Sequence, residues 1–148
     1  MTLQRAIIYI TGVFIAVGFA ESQAGTPDPE ECELTIEINA LRGGSPTVTV
    51  GATKNITAKA RILKGTAPSG TTIDTELWID AVDGLEVINS QSVFPVRLEI
   101  GKGGQGKKLT LNIPKCETGT IEFRATFSGH DGSGALCEST QAIRKTCK

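Results

Sequence analysis

Several residue types are scarce in this sequence. Its 148 residues include one histidine, one tryptophan and one tyrosine, and no two of its four cysteines are spaced as CxxC. Zinc sites built on cysteine usually contain that spacing, so we predict no metal site and no other cofactor. The formal net charge is −1. A chain so close to neutral lacks an electrostatic footprint for nucleic acid or an anionic membrane, so we expect neither as a partner.

The N-terminal segment has the pattern of a secretory signal. One early cation, Arg5, precedes an unbroken apolar run from Ala6 to Ala20. The run is shorter than the roughly 20 residues of a membrane-spanning helix, and small residues follow it where a signal peptidase cuts. We predict a signal peptide over residues 1–24, cleaved after Ala24 or alternatively after Ala20, and a secreted or periplasmic protein. An uncleaved membrane anchor is the other interpretation, and no later segment could span a membrane.

All four cysteines lie beyond this segment, at Cys32, Cys116, Cys137 and Cys147. In an oxidising compartment an even count predicts two disulfides, and four cysteines allow three pairings. Residues 25–31, GTPDPEE, contain two prolines and no apolar periodicity, which predicts an extended leader. We expect residues 32–148 to form one domain.

Apolar residues in this domain alternate with polar ones at a period of two. In CELTIEIN, for example, Leu34, Ile36 and Ile38 share one face. Strands with one buried face produce this pattern, and glycine-rich turn signals separate the segments. The predicted strands are 33–39 with a second part at 47–50, then 55–63, 72–80, 85–89, a hairpin across 93–113, 120–128 and 135–145. We therefore predict an all-β antiparallel sandwich of seven or eight strands.

Three stretches carry a family resemblance: TVTVGATKNITAKARI, TELWIDAVDGLEVI and RLEIGKGGQGKKLTLNIPKCETGTIEFRATFSG. Their strand rhythm resembles the bacterial immunoglobulin-like or fibronectin-III-like sandwiches, particularly the type related to cell adhesion. The chain departs from antibody domains because NITAKARIL has no cysteine and the mature chain has no tyrosine. Trp78 is on the strand where many such domains place a core tryptophan. It is out of phase with Leu77 and Ile79, however, which predicts an outward position.

The resemblance also implies a disulfide pairing. In such sandwiches the first strand begins at the end where the last two strands connect, and the last strand finishes at the opposite end. This arrangement implies one bridge between Cys32 and Cys137 and a second between Cys116 and Cys147. In the chain-entropy model, closing such long loops contributes roughly 3 to 5 kcal/mol for each bridge.

The stretch SGHDGSG contains the residue types of a hydrolase. His130 could act as a base toward Ser128 or Ser133, with Asp131 behind it. Adjacent residues on an extended loop point apart, so we instead predict an exposed loop tip with His130, Asp131 and Ser133 as candidate binding residues. Asp80 and Asp83 raise the alternative of calcium, although the EF-hand spacing is absent and DAVDG is typical of an ordinary turn.

These observations favour a non-enzymatic binding or structural module in an extracellular or envelope assembly, with a protein partner reached through loops or a sheet edge. Carbohydrate binding on Trp78, with Phe94 as a weaker platform, is the first alternative. A hydrolase that uses His130 is the second.

Overall fold

The structure is a computed structural model that describes residues 32–63 and 70–148. The predicted signal peptide and leader lie outside the described residues, as do residues 64–69. The described chain contains eight strands and no helix. The strands are β1 (Thr35–Arg42), β2 (Thr47–Val48), β3 (Thr53–Leu63), β4 (Thr72–Asp83), β5 (Glu86–Glu99), β6 (Gln105–Asn112), β7 (Thr120–His130) and β8 (Leu136–Cys147).

The strands form two sheets, one with the order β1-β3-β6 and the other with the order β2-β8-β7-β4-β5. Every neighbouring pair is antiparallel except β2 and β8, which are parallel over two residues. The chain reaches β2 by crossing from the first sheet to the second after β1. The predicted fold class is confirmed, since this is an immunoglobulin-like β-sandwich with one short parallel contact.

Two details of the predicted strand map are wrong. The segments 85–89 and 93–99 are one continuous strand, β5, because the polar run Asn89–Ser92 lies on a sheet edge where exposed side chains are tolerated. The predicted hairpin across 93–113 does not form. Its first arm pairs with β4 in the five-stranded sheet, whereas its second arm, β6, pairs with β3 in the three-stranded sheet.

The inward faces of both sheets form one apolar core, as the alternation predicted. Phe123 and Phe127 on β7 are fully buried against aliphatic side chains from the other sheet. Ala58 and Ala60 on β3 are fully buried as well, which lets the sheets approach closely. Burial of these side chains is the main favourable contribution to folding.

The two disulfides are the implied pairs, Cys32–Cys137 and Cys116–Cys147. Cys137 and Cys147 are near the two ends of β8, so this one strand is covalently fixed at both ends. The first bridge ties the chain just before β1 to β8 and thereby joins the two sheets. The second ties β8 to the connection between β6 and β7. Within the described ranges, no helix could cross a membrane.

A pair of phenylalanine truncations tests this assignment of the core. Phe123→Ala should lower the free energy of unfolding by about 3–5 kcal/mol, because it leaves a cavity between the sheets. Phe94→Ala removes the same atoms from an exposed site and should change it by less than about 1 kcal/mol. Urea denaturation under oxidising conditions measures both. Equal losses for the two variants would contradict the assignment.

Candidate binding surface

The loop between β7 and β8 does not present its three candidate residues equally. His130 is the last residue of β7, is exposed and pairs with Leu136. Asp131 is buried, although the sequence predicted it at an exposed tip. Ser133 is exposed, but its hydroxyl donates a hydrogen bond to the Asp131 carboxylate at 2.7 Å. Only His130 keeps its polar group available at the surface.

Asp131 acts as a structural clamp. Its carboxylate accepts hydrogen bonds from the backbone N–H groups of Glu33, Ser133 and Ala135 at 2.9–3.0 Å. The bond to Glu33 joins residues that are 98 positions apart and lies beside the Cys32–Cys137 bridge. The Glu33 N–H and then the Ser133 hydroxyl are the main causes that lower the pKa of Asp131 from 3.8 to about 2.

These contacts do not assemble a catalytic triad. The Ser133 hydroxyl and the Asp131 carboxylate are hydrogen-bonded to each other, and the Ser128 hydroxyl points to Glu138 at 3.4 Å. In the described part of the chain, neither serine bonds to His130. The serine, histidine and aspartate that could have formed a triad are thus not arranged for proton transfer in the fold.

Asp83 has the same structural role at the other end of the sandwich. Its carboxylate accepts hydrogen bonds from the N–H of Glu117 at 2.7 Å and from the N–H and hydroxyl of Thr118 at 3.0 and 2.6 Å. These donors, the Glu117 N–H first, lower the pKa of Asp83. The predicted turn also shifts, because β4 continues through Asp80 to Asp83. Asp83 therefore holds the connection beside Cys116 and already accepts three hydrogen bonds there.

One group of metal-ligand residues comes together in the described structure: Cys32, Asp131 and Cys137. Both sulfur atoms belong to one disulfide, so neither is a thiolate that could bind a metal. The Asp131 carboxylate is already bonded to N–H and O–H donors. The three residues lie close together because the disulfide and the Asp131 hydrogen bonds meet at this end of the sandwich. They do not form a metal site.

Trp78 lies on the outer face of the five-stranded sheet and is 38% exposed, as its phase predicted. Ser92 on β5 and Thr126 on β7 flank it in the strand register. Two residues before Trp78 on β4, a bulge places Phe94 and Pro95 opposite Glu76. Of the described aromatic side chains, Trp78 and Phe94 are the exposed ones, and they lie on adjacent strands.

Exposed apolar side chains are concentrated on this side of the sandwich. Val87 and Phe94 on β5 are 52% and 64% exposed, and Leu85 in the preceding turn is fully exposed. We call Leu85, Val87, Phe94 and Trp78 the β5 surface. The sequence carried a signal for it that the strand analysis missed: residues 87–96, VINSQSVFPV, are ten in a row without a charge.

Comparison with known proteins finds distant similarities to solved structures. No protein-family model and no curated protein matches the sequence. The sporulation control protein Spo0M of Bacillus subtilis is 15% identical with a TM-score of 0.45, and the match covers 78% of this chain and 49% of that one. A cohesin module from a family 33 glycoside hydrolase of Clostridium perfringens is 11% identical with a TM-score of 0.42, covering 79% and 99%.

A third similar structure is the CARDB domain of a Pyrococcus furiosus protein, in complex with two metal ions. It is 16% identical with a TM-score of 0.40, and the match covers 84% of this chain and 95% of that domain. The chain spans about half the length of Spo0M, whereas it matches nearly the whole of the two isolated modules.

The hydrogen bonds of Asp131 predict that the folded state loses stability as the pH falls. A carboxyl group whose pKa is lower in the folded state than in the unfolded state stabilises the fold when the pH is above the unfolded-state pKa. This contribution is lost as the pH falls through the folded-state pKa. Unfolding by urea should therefore become easier between about pH 4 and pH 2. Asp131→Asn should be less stable at pH 7 and should lose less stability over that range.

Asp80→Asn is the matched control, since Asp80 lies on the outer face and accepts a single hydrogen bond from Ser90. It should stay close to the wild type at pH 7. If Asp131→Asn and Asp80→Asn had the same stability at pH 7, Asp131 would not be a clamp.

Proposed function

We propose that this protein is an exported, non-enzymatic binding module that takes a protein partner on the β5 surface, as part of an extracellular or envelope assembly. The observation that carries the proposal is the exposed edge of β5. This strand of 14 residues is at the end of its sheet, and no described strand pairs with its outer side.

Isolated sheet edges are usually protected against pairing with other chains by charges, bulges or short length. The other three edges of the sandwich have such protection. β2 has two residues, β1 has a bulge between Ile38 and Ala40, and β6 carries Lys107 and Lys108. β5 has one bulge at Ile88 and another at Phe94–Pro95, and no charge from Val87 to Val96. The stretch Asn89–Val93 between the two bulges is regular and uncharged, and is thus suited to pairing.

The edge offers two kinds of contact. Along an antiparallel edge strand, alternate residues direct their N–H and C=O groups away from the sheet, where a partner strand can bond to them. Val87 and Phe94 add exposed apolar area at the two ends of the uncharged stretch. Trp78 contributes an aromatic ring on the adjoining strand, and aromatic residues are enriched among side chains that dominate binding energy.

Two disulfides support a location outside the cytosol, since such bonds persist in oxidising compartments. The apolar β5 surface would favour non-specific association unless a partner covers it. An adhesion-related assembly is consistent with both features. The exposed His130, at the end of β7, is a second contact point on the same sheet.

Lysine substitutions test the β5 surface directly. The double variant Val87→Lys/Phe94→Lys places two charges on the edge and should abolish capture of the partner from the native secreted or envelope fraction. The matched control is Val50→Lys/Leu136→Lys. It makes the same kind of change at two apolar residues outside the β5 surface, which are 45% and 51% exposed.

Capture with a photo-crosslinker at Ser92 should give a specific adduct in the wild type and in the control, and none in the edge variant. Sedimentation of the purified protein shows whether the partner is a second copy of the chain. Equal capture by both variants would refute the β5 surface. Loss of capture in the control variant alone would place the partner contact at the β7–β8 loop, because Leu136 pairs with His130.

A second candidate function is carbohydrate binding on Trp78. The observation in its favour is a partly exposed ring flanked by the hydroxyl-bearing residues Ser92 and Thr126, since sugars stack on aromatic faces and bond to such groups. In this case Trp78→Ala should weaken binding in a polysaccharide pull-down on the order of ten-fold or more. Val87→Lys should leave it unchanged. Absence of binding across a glycan array would remove this candidate.

A further inference from the structure

The outer face of the three-stranded sheet is basic, in contrast to that of the five-stranded sheet. Within β1, β3 and β6, the ionised residues of this face are Arg42, Lys59, Arg61, Lys108 and one carboxylate, Glu37, and the exposed Glu33 precedes β1 with the same phase. Glu37 is paired with Arg61 at 2.7 Å. In the described part of the chain, Arg42, Lys59 and Lys108 have no acidic partner. Three cations on this face are thus available to a ligand.

Two of these cations, Arg42 and Lys59, border a groove. A depression of about 510 Å³ is lined by Asn39, Ala40, Arg42, Thr57, Lys59 and Gly104. It continues past Arg42 and Thr57 into a second depression of about 460 Å³, which contains Ser45, Lys54 and Asn55. The floor follows β3 from Thr53 to Lys59, which at 3.3 Å per residue is roughly 20 Å. The shape suits a short stretch of a linear polymer.

The positive charge continues into the far part of the groove. The ammonium of Lys54 donates to the carbonyls of Ser45 and Thr47 at 2.8 and 3.0 Å, and that of Lys145 donates to the carbonyl of Gly44 at 3.3 Å. Burial, and then the nearby charge of Lys145, lowers the pKa of Lys54. The two ammonium groups therefore lie close enough to repel each other, which an anion would relieve.

We propose that this groove binds a linear polysaccharide that carries carboxylate or sulfate groups. Arg42 and Lys59, on neighbouring rows of the sheet, would bond to successive anionic groups, and guanidinium is suited to bidentate bonds with both. Thr57, which is paired with Arg42, and Asn39 line the same depression and supply neutral donors and acceptors for sugar hydroxyls. This site is separate from the β5 surface and does not depend on it.

A polysaccharide fits the groove better than a single-stranded nucleic acid. Proteins bind single strands by combining a basic groove with aromatic side chains on which bases stack. The exposed aromatic residues of the described chain, Trp78 and Phe94, belong to the other sheet.

Binding of the purified protein to four polymers tests the proposal: polygalacturonate, dextran sulfate, neutral dextran and polythymidylate. We expect binding to polygalacturonate or dextran sulfate, and the preferred one identifies the anionic group. Arg42→Glu/Lys59→Glu should weaken it on the order of ten-fold or more. Added salt should weaken it in the wild type, because the contacts are exposed.

Arg144→Glu/Lys148→Glu is the matched control, since it makes the same change in net charge outside the groove and should bind like the wild type. Arg42→Gln/Lys59→Gln removes the cations without adding carboxylates, and circular dichroism checks that each variant is folded. The proposal is overturned if neither anionic glycan binds, if the two charge reversals have equal effects, or if neutral dextran or polythymidylate binds as tightly.

Discussion

The structure depends above all on the apolar layer between the two sheets. Every strand that carries core residues presents them at alternate positions, and this period brings β3 and β7 face to face. Small side chains such as Ala58 and Ala125 let the sheets pack closely around Phe123 and Phe127. Because a slip of one residue would turn each inward face outward, the same burial also fixes the register of the strands.

The two ends of the sandwich are fastened by the same combination of groups. One end has the Cys32–Cys137 bridge and the Asp131 carboxylate, and the other has the Cys116–Cys147 bridge and the Asp83 carboxylate. Each aspartate accepts backbone N–H groups of a connection between strands and so satisfies donors that the strand pairing leaves unpaired. The acidic residues that looked most like calcium ligands or catalytic acids are thus used to hold loops, which leaves binding to surfaces.

Alternation in the sequence was enough to predict the sandwich and the outward Trp78, because each is a local property of the strands. Other features could not be found this way. The polar run Asn89–Ser92 interrupts the alternation, so β5 looked like two strands, and no local pattern states which sheet a strand joins. The role of Asp131 depends on Glu33, 98 residues away. Likewise Arg42, Lys59 and Lys108 form no charged run in the sequence and meet only through β3.

The charges of the two outer faces also separate the two proposed sites. The outer face of the five-stranded sheet carries six carboxylates and three cations: Asp74, Glu76, Asp80, Glu99, Glu122, Glu138, Arg97, Arg124 and Arg144. Two of these cations are already paired, Arg97 with Asp74 and Arg124 with Glu122. A polyanion is therefore repelled from the side that bears Trp78 and attracted to the side that bears Arg42. Since the two surfaces select ligands of opposite character, a protein on the β5 edge and an acidic glycan in the groove would not compete for the same residues.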